Sequence, residues 1–480
     1  MKICIIAEGS YPYITGGVSS WIHSLITQMS EHEFVIYAIG AESKQKGKFK
    51  YKLPPNVVEV KETFLDAYLD EEVRWGSRFR LSAEERNTLQ ALIGGEGDLN
   101  WDRVFALLRS DKFVNVSDFL ASKNYFDQLE QLCRFKYTHV PFTEMFWTVR
   151  SMILPLLLAI RSDVPQADIY HSVSTGYAGV IGALGKFLYG SPLLLTEHGI
   201  YSREREEEII KADWVKGYFK DLWIEYFYRL SDCIYTAADQ VVTLFGRNRE
   251  IEIELGCPAE KIRIIPNGVR TSDYEALPSG PEDGKIRIGA VVRIVPIKDI
   301  KTMLQSFALV KREVPNAELV IMGPVEEDES YYEECLRMVE ALEVQDVVFT
   351  GEVQVKEYLG KMDLLLLTSI SEGQPLAVLE GMAAGKPFVT TNVGSCKELL
   401  NGADDGIGPC GLVAPVMHYE QIAQAIVTLC RNEGLRKDMG RNARERVQRY
   451  YKFEDFISEY RKLYATLGGD ARRWPESVLN

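Results

Sequence analysis

The chain has 480 residues, 46% of them hydrophobic and 26% charged, which is too long for one ordinary core and implies two domains of a soluble globular kind. A formal net charge of −14 argues against nucleic acid as the principal partner, because phosphate backbones are bound by basic surfaces. The eight cysteines are scattered singly, without a CxxC pair or metal-ligand spacing, and read as reduced thiols of a cytoplasmic protein.

From the start, MKICIIAEGS reads as a first strand rather than an export signal, since its apolar run is brief and leads into a Gly-containing loop. In the following turn, AEGSYPYITGGVSSWIHSL, Gly16 and Gly17 precede an apparent helix. Glycines there let the backbone approach a ligand and the helix start favours an anion, although a simple tight turn has the same composition. FVIYAIG predicts the next strand. In ESKQKGKFKYKLPP, Lys44, Lys46, Lys48, Lys50 and Lys52 alternate, so at period two they would line one face of a strand. That face is either a charged edge resisting sheet-to-sheet pairing or a contact for anionic headgroups or a partner protein. From about 63 to 150 the rhythm gives way to aromatic- and charge-rich segments without a clear strand, read as a helical insertion that extends the core or an interface. MILPLLLAI at 152–160 falls short of the ~20 residues that cross a bilayer and carries Pro155.

DIYHSV and PLLLTEHG resume the alternation of strand and helix. His198 falls at the carboxyl end of the second of these strands, where ligands of open α/β sheets bind, or where a backbone group satisfies it. His171, in IYHSV, reads as structural. KIRIIPNGV makes a turn at Asn267 and Gly268, and TSDYEALPSGPEDGKIRI clusters Pro278, Gly280, Pro281 and Gly284 into a linker. The boundary is placed near 280, giving a first domain over 1–280 and a second over 281–450. IRIGAVVR, AELVIMGP, VVFTGEV, DLLLLTS and PFVTTNV predict a second doubly wound sheet, with Arg293 and Lys298 just after its first strand. A last helix, within 451–480, has apolar Phe453, Phe456, Ile457, Tyr460 and Leu463 at helical spacing.

The most informative stretch is TSISEGQPLAVLEGMAAGKPFVTTNVGS, from Thr368 to Ser395. Strand, loop and helix follow one another, with Pro375 suited to the first helical turn and Gly385 to the residue past its end. Glu372 sits in the loop and Glu380 eight residues on, a little over two helical turns, so both side chains should project from roughly the same side. Backbone N–H groups at such a helix start, those of Leu376 and Ala377 among them, have no intrahelical partner and point toward a bound anion. A diphosphate seat flanked by two acceptors, Glu380 for a ribose diol and Glu372 for a sugar, implies a nucleotide sugar.

These residues resemble retaining glycosyltransferases of family 4, which carry a Glu-x7-Glu signature here. The resemblance implies the GT-B fold: two Rossmann-like doubly wound domains, a deep interdomain cleft, and a C-terminal helix that crosses back onto the first domain. It implies that Arg293 and Lys298 contact the donor diphosphate and stabilise charge building on the departing nucleotide. It further implies that Gly17 lies in a loop over the donor phosphates or at the acceptor entrance, that His198 faces the sugar or acceptor, and that Val353 of TGEV presents backbone groups to uracil. Gly373, Leu376 and Ala377 remain as donors to the diphosphate, since Pro375 has no N–H. Relatives often have an aromatic and a Gly where Gln374 and Pro375 stand, and Asp where Arg270 stands, so sugar preference could shift there.

With no Asp-x-Asp pair in the chain, transfer is expected to need neither metal nor cofactor. The opening IAEGSYPYITGGVSSW, the long insertion and TSISEGQPLAVLEGMAAGKP are similar to Pel-type exopolysaccharide transferases. That similarity implies a cytoplasmic hexosyltransferase using UDP-glucose or a UDP-N-acetylhexosamine, a growing glycan as acceptor, and a partner in an inner-membrane synthase and export complex. A starch- or glycogen-synthase-like transferase and a nucleotide-sugar-binding scaffold or sensor are the alternative readings.

Overall fold

A computed structural model describes residues 1–66, 73–94, 99–402 and 405–469. The chain divides into one unit of residues 1–243, 249–263 and 461–480 and another of 244–248 and 264–460. The break therefore falls at 263/264, ahead of the Pro/Gly-rich linker near 280.

The first unit is laid down as β1 (Lys2–Glu8), α1 (Gly17–Gln28), β2 (Glu33–Gly40) and β3 (Val57–Phe64), followed by a run of helices. These are α2 (Ala83–Gly94), α3 (Trp101–Leu108), α4 (Val116–Leu120), α5 (Lys123–Phe135) and α6 (Phe142–Arg161). The alternation then returns with β4 (Ile169–Ser172), α7 (Tyr177–Tyr189), β5 (Leu193–Glu197), α8 (Tyr201–Lys211), α9 (Gly217–Ala237), β6 (Gln240–Thr243), α10 (Gly246–Glu254) and β7 (Ile262–Ile264). The sheet order is β3-β2-β1-β4-β5-β6-β7, parallel from β3 through β6. β1 and β4 are neighbours, so the strand order reverses there.

The insertion is helical because its sequence supplies its own start signals. Ser82 and Glu85 exchange side-chain bonds with each other's backbone N–H, and Asn100, Asn115 and Ser122 cap α3, α4 and α5. Phe113, Phe119, Tyr125 and Phe146 stack edge to face between these helices and belong to the same core as the sheet. The insertion thus extends the first unit's core. α6 is long and apolar enough to cross a membrane by length and composition, yet 56% of its most apolar window is buried in the protein.

The lysine stripe does not form a strand. Ser43–Gln45 is a 3-10 turn, Gly47 takes φ +68, and Lys50 donates its N–H to the Pro12 carbonyl. A left-handed glycine followed by Pro54 and Pro55 is incompatible with a continuous ladder. The edge strand is β3 instead.

The second unit comprises β8 (Ile286–Val291), α11 (Ile300–Glu313), β9 (Ala317–Met322), α12 (Glu329–Ala341), β10 (Val347–Phe349), α13 (Val355–Leu359) and β11 (Leu364–Leu367). After them come α14 (Leu376–Ala383), β12 (Phe388–Thr391), α15 (Cys396–Asn401), β13 (Gly411–Ala414), α16 (Tyr419–Arg431) and α17 (Glu433–Tyr450). Its six strands are all parallel, in the order β10-β9-β8-β11-β12-β13. The reversal lies between β8 and β11, and the loops leaving those two strands carry Arg293, Lys298 and Glu372. In open α/β sheets the crevice at such a switch point is where ligands bind.

The last helix, α18 (Phe453–Leu467), contributes residues up to Tyr460 to the second unit and from Arg461 to the first. In the first unit the Tyr464 hydroxyl lies 2.7 Å from His171 Nδ1 and Arg461 Nε donates to Glu31 at 2.7 Å.

Candidate active site

In the second unit, β11 is four buried leucines, and it delivers Thr368 and Ser369 fully buried at its carboxyl end. Thr368 Oγ1 donates to the carbonyls of Lys298 and Asp299 at 3.0 and 3.1 Å, and Ile370 N–H donates to the Ile297 carbonyl at 2.9 Å. The loops after β8 and β11 are thereby laced together. Asp299 takes φ +47 and its carboxylate caps α11 through Thr302 N–H. An aspartate tolerates this left-handed conformation better than most residues, and the reversal it makes presents Lys298 at the loop's turn. Lys298 Nζ donates to Glu372 Oε1 at 2.5 Å, and Ser369 Oγ donates to the same oxygen at 2.6 Å.

Gly394 (φ +49) lets the loop after β12 close on the far side of Glu372. A Cβ there would stand 2.1 Å from the Gly373 carbonyl oxygen and 2.3 Å from that of Glu372, while Ser395 N–H donates to Gly373 at 3.0 Å. No side chain fits.

Pro375 is the N-cap of α14, one residue ahead of the position expected from the sequence, with extended φ and ψ. Leu376 and Ala377 open the helix, so their N–H groups have no partner within it. At the other end Gly385 (φ +71) closes a Schellman motif: Lys386 N–H reaches the Gly381 carbonyl and Gly385 N–H that of Met382. Gly381 is small because a Cβ would meet Leu365 at 2.3 Å and Phe388 at 2.5 Å. The helix is seated hard against its sheet, which fixes where its N-terminus points.

The two signature glutamates meet different partners. Glu372 is bonded to Lys298 and Ser369, whereas Glu380 hydrogen-bonds the hydroxyl of Tyr274, in the 3-10 turn Thr271–Tyr274. Burial raises the Glu380 carboxyl above its ordinary value, and the Tyr274 hydroxyl and the Lys356 ammonium oppose the shift. Arg293 is half exposed and ion-paired with Glu327. Val353, in the loop after β10, is partly buried against the core. Gln374 is buried and locks the loop from below: its Oε1 accepts from Asn267 N–H at 2.6 Å and its Nε2 donates to the Leu244 carbonyl at 3.4 Å.

In the first unit, Gly17 opens α1 and Trp21 lies one turn on. A Cβ at Gly16 or Gly17 would meet nothing within 4 Å, so packing within the chain does not demand glycine at either position. The Trp21 ring stands edge-on to His198, centroids 4.7 Å apart. His198 Nε2 is shielded from solvent and has no partner among the described residues, and burial pushes the imidazole down to about 4, so it is neutral at pH 7. His171 differs: its nitrogens lie 2.7 and 2.8 Å from the Tyr464 and Thr196 hydroxyls, which explains its place as a structural residue.

Two carboxyl groups at strand ends of this unit, and a third on α10, escaped the sequence reading. Glu8, ending β1, accepts from Ala178 N–H and the Tyr201 hydroxyl, both at 3.1 Å. Glu197, ending β5, accepts from the Tyr235 hydroxyl at 2.6 Å and stands beside Glu252, and burial holds both of these carboxyls above their usual range. The available signal was position, since AEGS and TEHG each place an acid at a strand's carboxyl end.

Residues 1–260 match the family described as Domain of unknown function (DUF3492). The chain belongs to that family. Residues 276–446 match Glycosyl transferases group 1, so the second unit is a domain of that group. Among relatives, N-acetyl-alpha-D-glucosaminyl L-malate synthase of Bacillus anthracis is 32% identical over 170 residues, 35% of this chain and 42% of that protein. The chain likewise spans 44% and 65% of the length of two further relatives. Capsular polysaccharide biosynthesis glycosyltransferase CapM of Staphylococcus aureus is 22% identical over 74% of this chain and 90% of its own. The crystal structure of Anabaena Alr3699/HepE in complex with UDP superposes with a TM-score of 0.61 at 13% identity, over 97% of this chain and 100% of that one. The fold is GT-B.

Proposed function

We propose that the chain is a retaining, metal-independent glycosyltransferase that moves a hexose or N-acetylhexosamine from a UDP-sugar onto a growing exopolysaccharide. The observation that carries this reading is the Lys298–Glu372 contact at the switch point of the second sheet, beside the start of α14. A cation and a helix N-terminus at one spot suit a diphosphate, and an adjacent carboxylate suits a sugar hydroxyl. Lys298, with Arg293, takes the charge that builds on the β-phosphate as the sugar leaves, and the N–H groups of Gly373, Leu376 and Ala377 add fixed dipoles. Glu372 holds the sugar and Glu380 the ribose diol, while Val353 borders the base. In the first unit, the turn at Gly17 and the neutral imidazole of His198 are the groups offered to substrate.

The UDP in HepE and the polysaccharide role in CapM's name support the donor and product classes. The chain's opening, insertion and signature look like those of PelF, the transferase of the Pel exopolysaccharide system. On that reading it works on the cytoplasmic side of an inner-membrane synthase and export complex.

The test is isothermal titration with UDP, ADP and GDP in chelator, followed by hydrolysis of a panel of UDP-sugars. Selective UDP binding with turnover of one sugar is expected. Binding without turnover across donors and glycan acceptors would replace the transferase with a sensing or scaffolding subunit, and a requirement for divalent metal would overturn the metal-independent mechanism.

A further inference from the structure

A groove in the first unit lies between the outer face of α6 and the turn joining α8 to α9. On α6, Glu144, Trp147, Thr148 and Ser151 recur at three- and four-residue spacing and share one face, while Met145, Met152, Ile153 and Leu156 are buried on the other. Trp214, from the turn, and Trp223, from α9, form the facing wall, their rings 5.6 Å apart at 82°. The cavity is about 530 Å³, the size of a small-molecule site.

Its chemistry is mixed in a particular way. Trp147 is 50% exposed and Trp214 70%, so both indoles present open surface, with the Arg150 guanidinium over the Trp147 ring, 5.9 Å from its centroid. Polar groups line the same cavity: Glu144 accepts from Lys216 Nζ at 2.8 Å and from the Tyr218 hydroxyl, and Thr148 and Ser151 add hydroxyls. Val215 is the single aliphatic side chain of the lining. An apolar helix or lipid tail laid here would strip water from the Glu144–Lys216 pair without replacing it. A polyanion would meet the Glu144 carboxylate on a chain of net charge −14. A pyranose matches both demands, because its C–H face packs on an aromatic ring while its rim of hydroxyls bonds to carboxylate, ammonium and hydroxyl groups.

We propose that this groove is a glycan-binding subsite that holds a neutral sugar chain on the aromatic faces of Trp147 and Trp214, separate from the donor groups of the second unit. That the glycan is the enzyme's own polymer rests on the function proposed above.

Full-length protein, without nucleotide, is run in affinity gels containing hydroxyethyl cellulose or soluble starch, and titrated with hexamers of N-acetylglucosamine and N-acetylgalactosamine. Wild-type protein is expected to bind at least one of these probes. Trp147→Ala and Trp214→Ala should each weaken it about tenfold, with UDP affinity and thermal melting unchanged. Trp214 is largely exposed, so its variant keeps the test valid if Trp147→Ala does not fold. No glycan binding, equal binding by the variants, or binding to phosphatidylcholine vesicles in place of glycans would overturn the proposal. Glycan binding by a protein that ignores UDP would leave this subsite standing and sink the donor reading instead.

Discussion

Replacing Lys298 with alanine separates the structural from the chemical role of the ion pair. The Lys298 and Glu372 side chains are only 16% and 11% exposed, so the variant strands a carboxylate that keeps one hydrogen bond, from Ser369. Breaking a buried pair costs about 3–5 kcal/mol, and the surviving Ser369 bond brings this to about 2 kcal/mol. For a unit of this size that lowers Tm by about 4–8 °C. Turnover should fall by roughly 10²–10³, the effect of losing one strong charge-stabilising group. Adding Glu372→Gln to Lys298→Ala removes the stranded charge, so the double variant should recover most of the stability and none of the activity. The assays are thermal melting and UDP-sugar hydrolysis on the four members of the cycle. Near-wild-type turnover in Lys298→Ala would refute the assignment of the site. A double variant no more stable than Lys298→Ala would refute the claim that burial makes the pair matter.

Gly394→Ala should raise KM for the donor and lower stability, because its methyl group must push aside the Glu372 and Gly373 carbonyls; a donor titration and a melt check both. Because His198 is held down to about 4, its imidazole should titrate by NMR below about pH 5, and pH–rate profiles between about pH 5.5 and 8 should carry no inflection from it. Tyr274→Phe removes a hydrogen bond that favours ionised Glu380, so the carboxyl should titrate higher and donor KM should rise with little change in kcat, read from initial rates.

The parallel sheets were legible because their strands are unbroken apolar runs, LLLL in β11 being the extreme case, and α14 was legible from Pro375 and Gly385 at its ends. β3 was not, because it is a half-exposed edge with charged residues in it, and β6, β7 and β13 were not either. The lysine alternation misled because period two does not make a strand where Gly47 turns the chain. The local part of the candidate site was legible, and its long-range supports were not: Gly394 beside Glu372 and Gln374 binding Asn267 both depend on contacts distant in sequence.

The acid pair of the first unit gives a prediction whose sign follows from burial. Glu197 and Glu252 both sit above their ordinary value of 4.5 because burial strips water from each carboxylate, and the Glu197 charge raises Glu252 further. A carboxyl with a raised folded pKa contributes stability that is complete below the unfolded pKa and is lost as pH rises through the folded one. Wild-type protein should therefore lose stability from about pH 5 toward about pH 9, as the two carboxyls give up their protons in turn. Glu252→Gln keeps a hydrogen-bonding side chain of similar shape and cannot ionise. Its Tm should match wild type near pH 5 and exceed it near pH 9, by about 2–4 °C for each kcal/mol of relieved repulsion. Parallel melting curves for the two proteins across that range would mean that the carboxyls ionise freely, and the burial argument would fail with them.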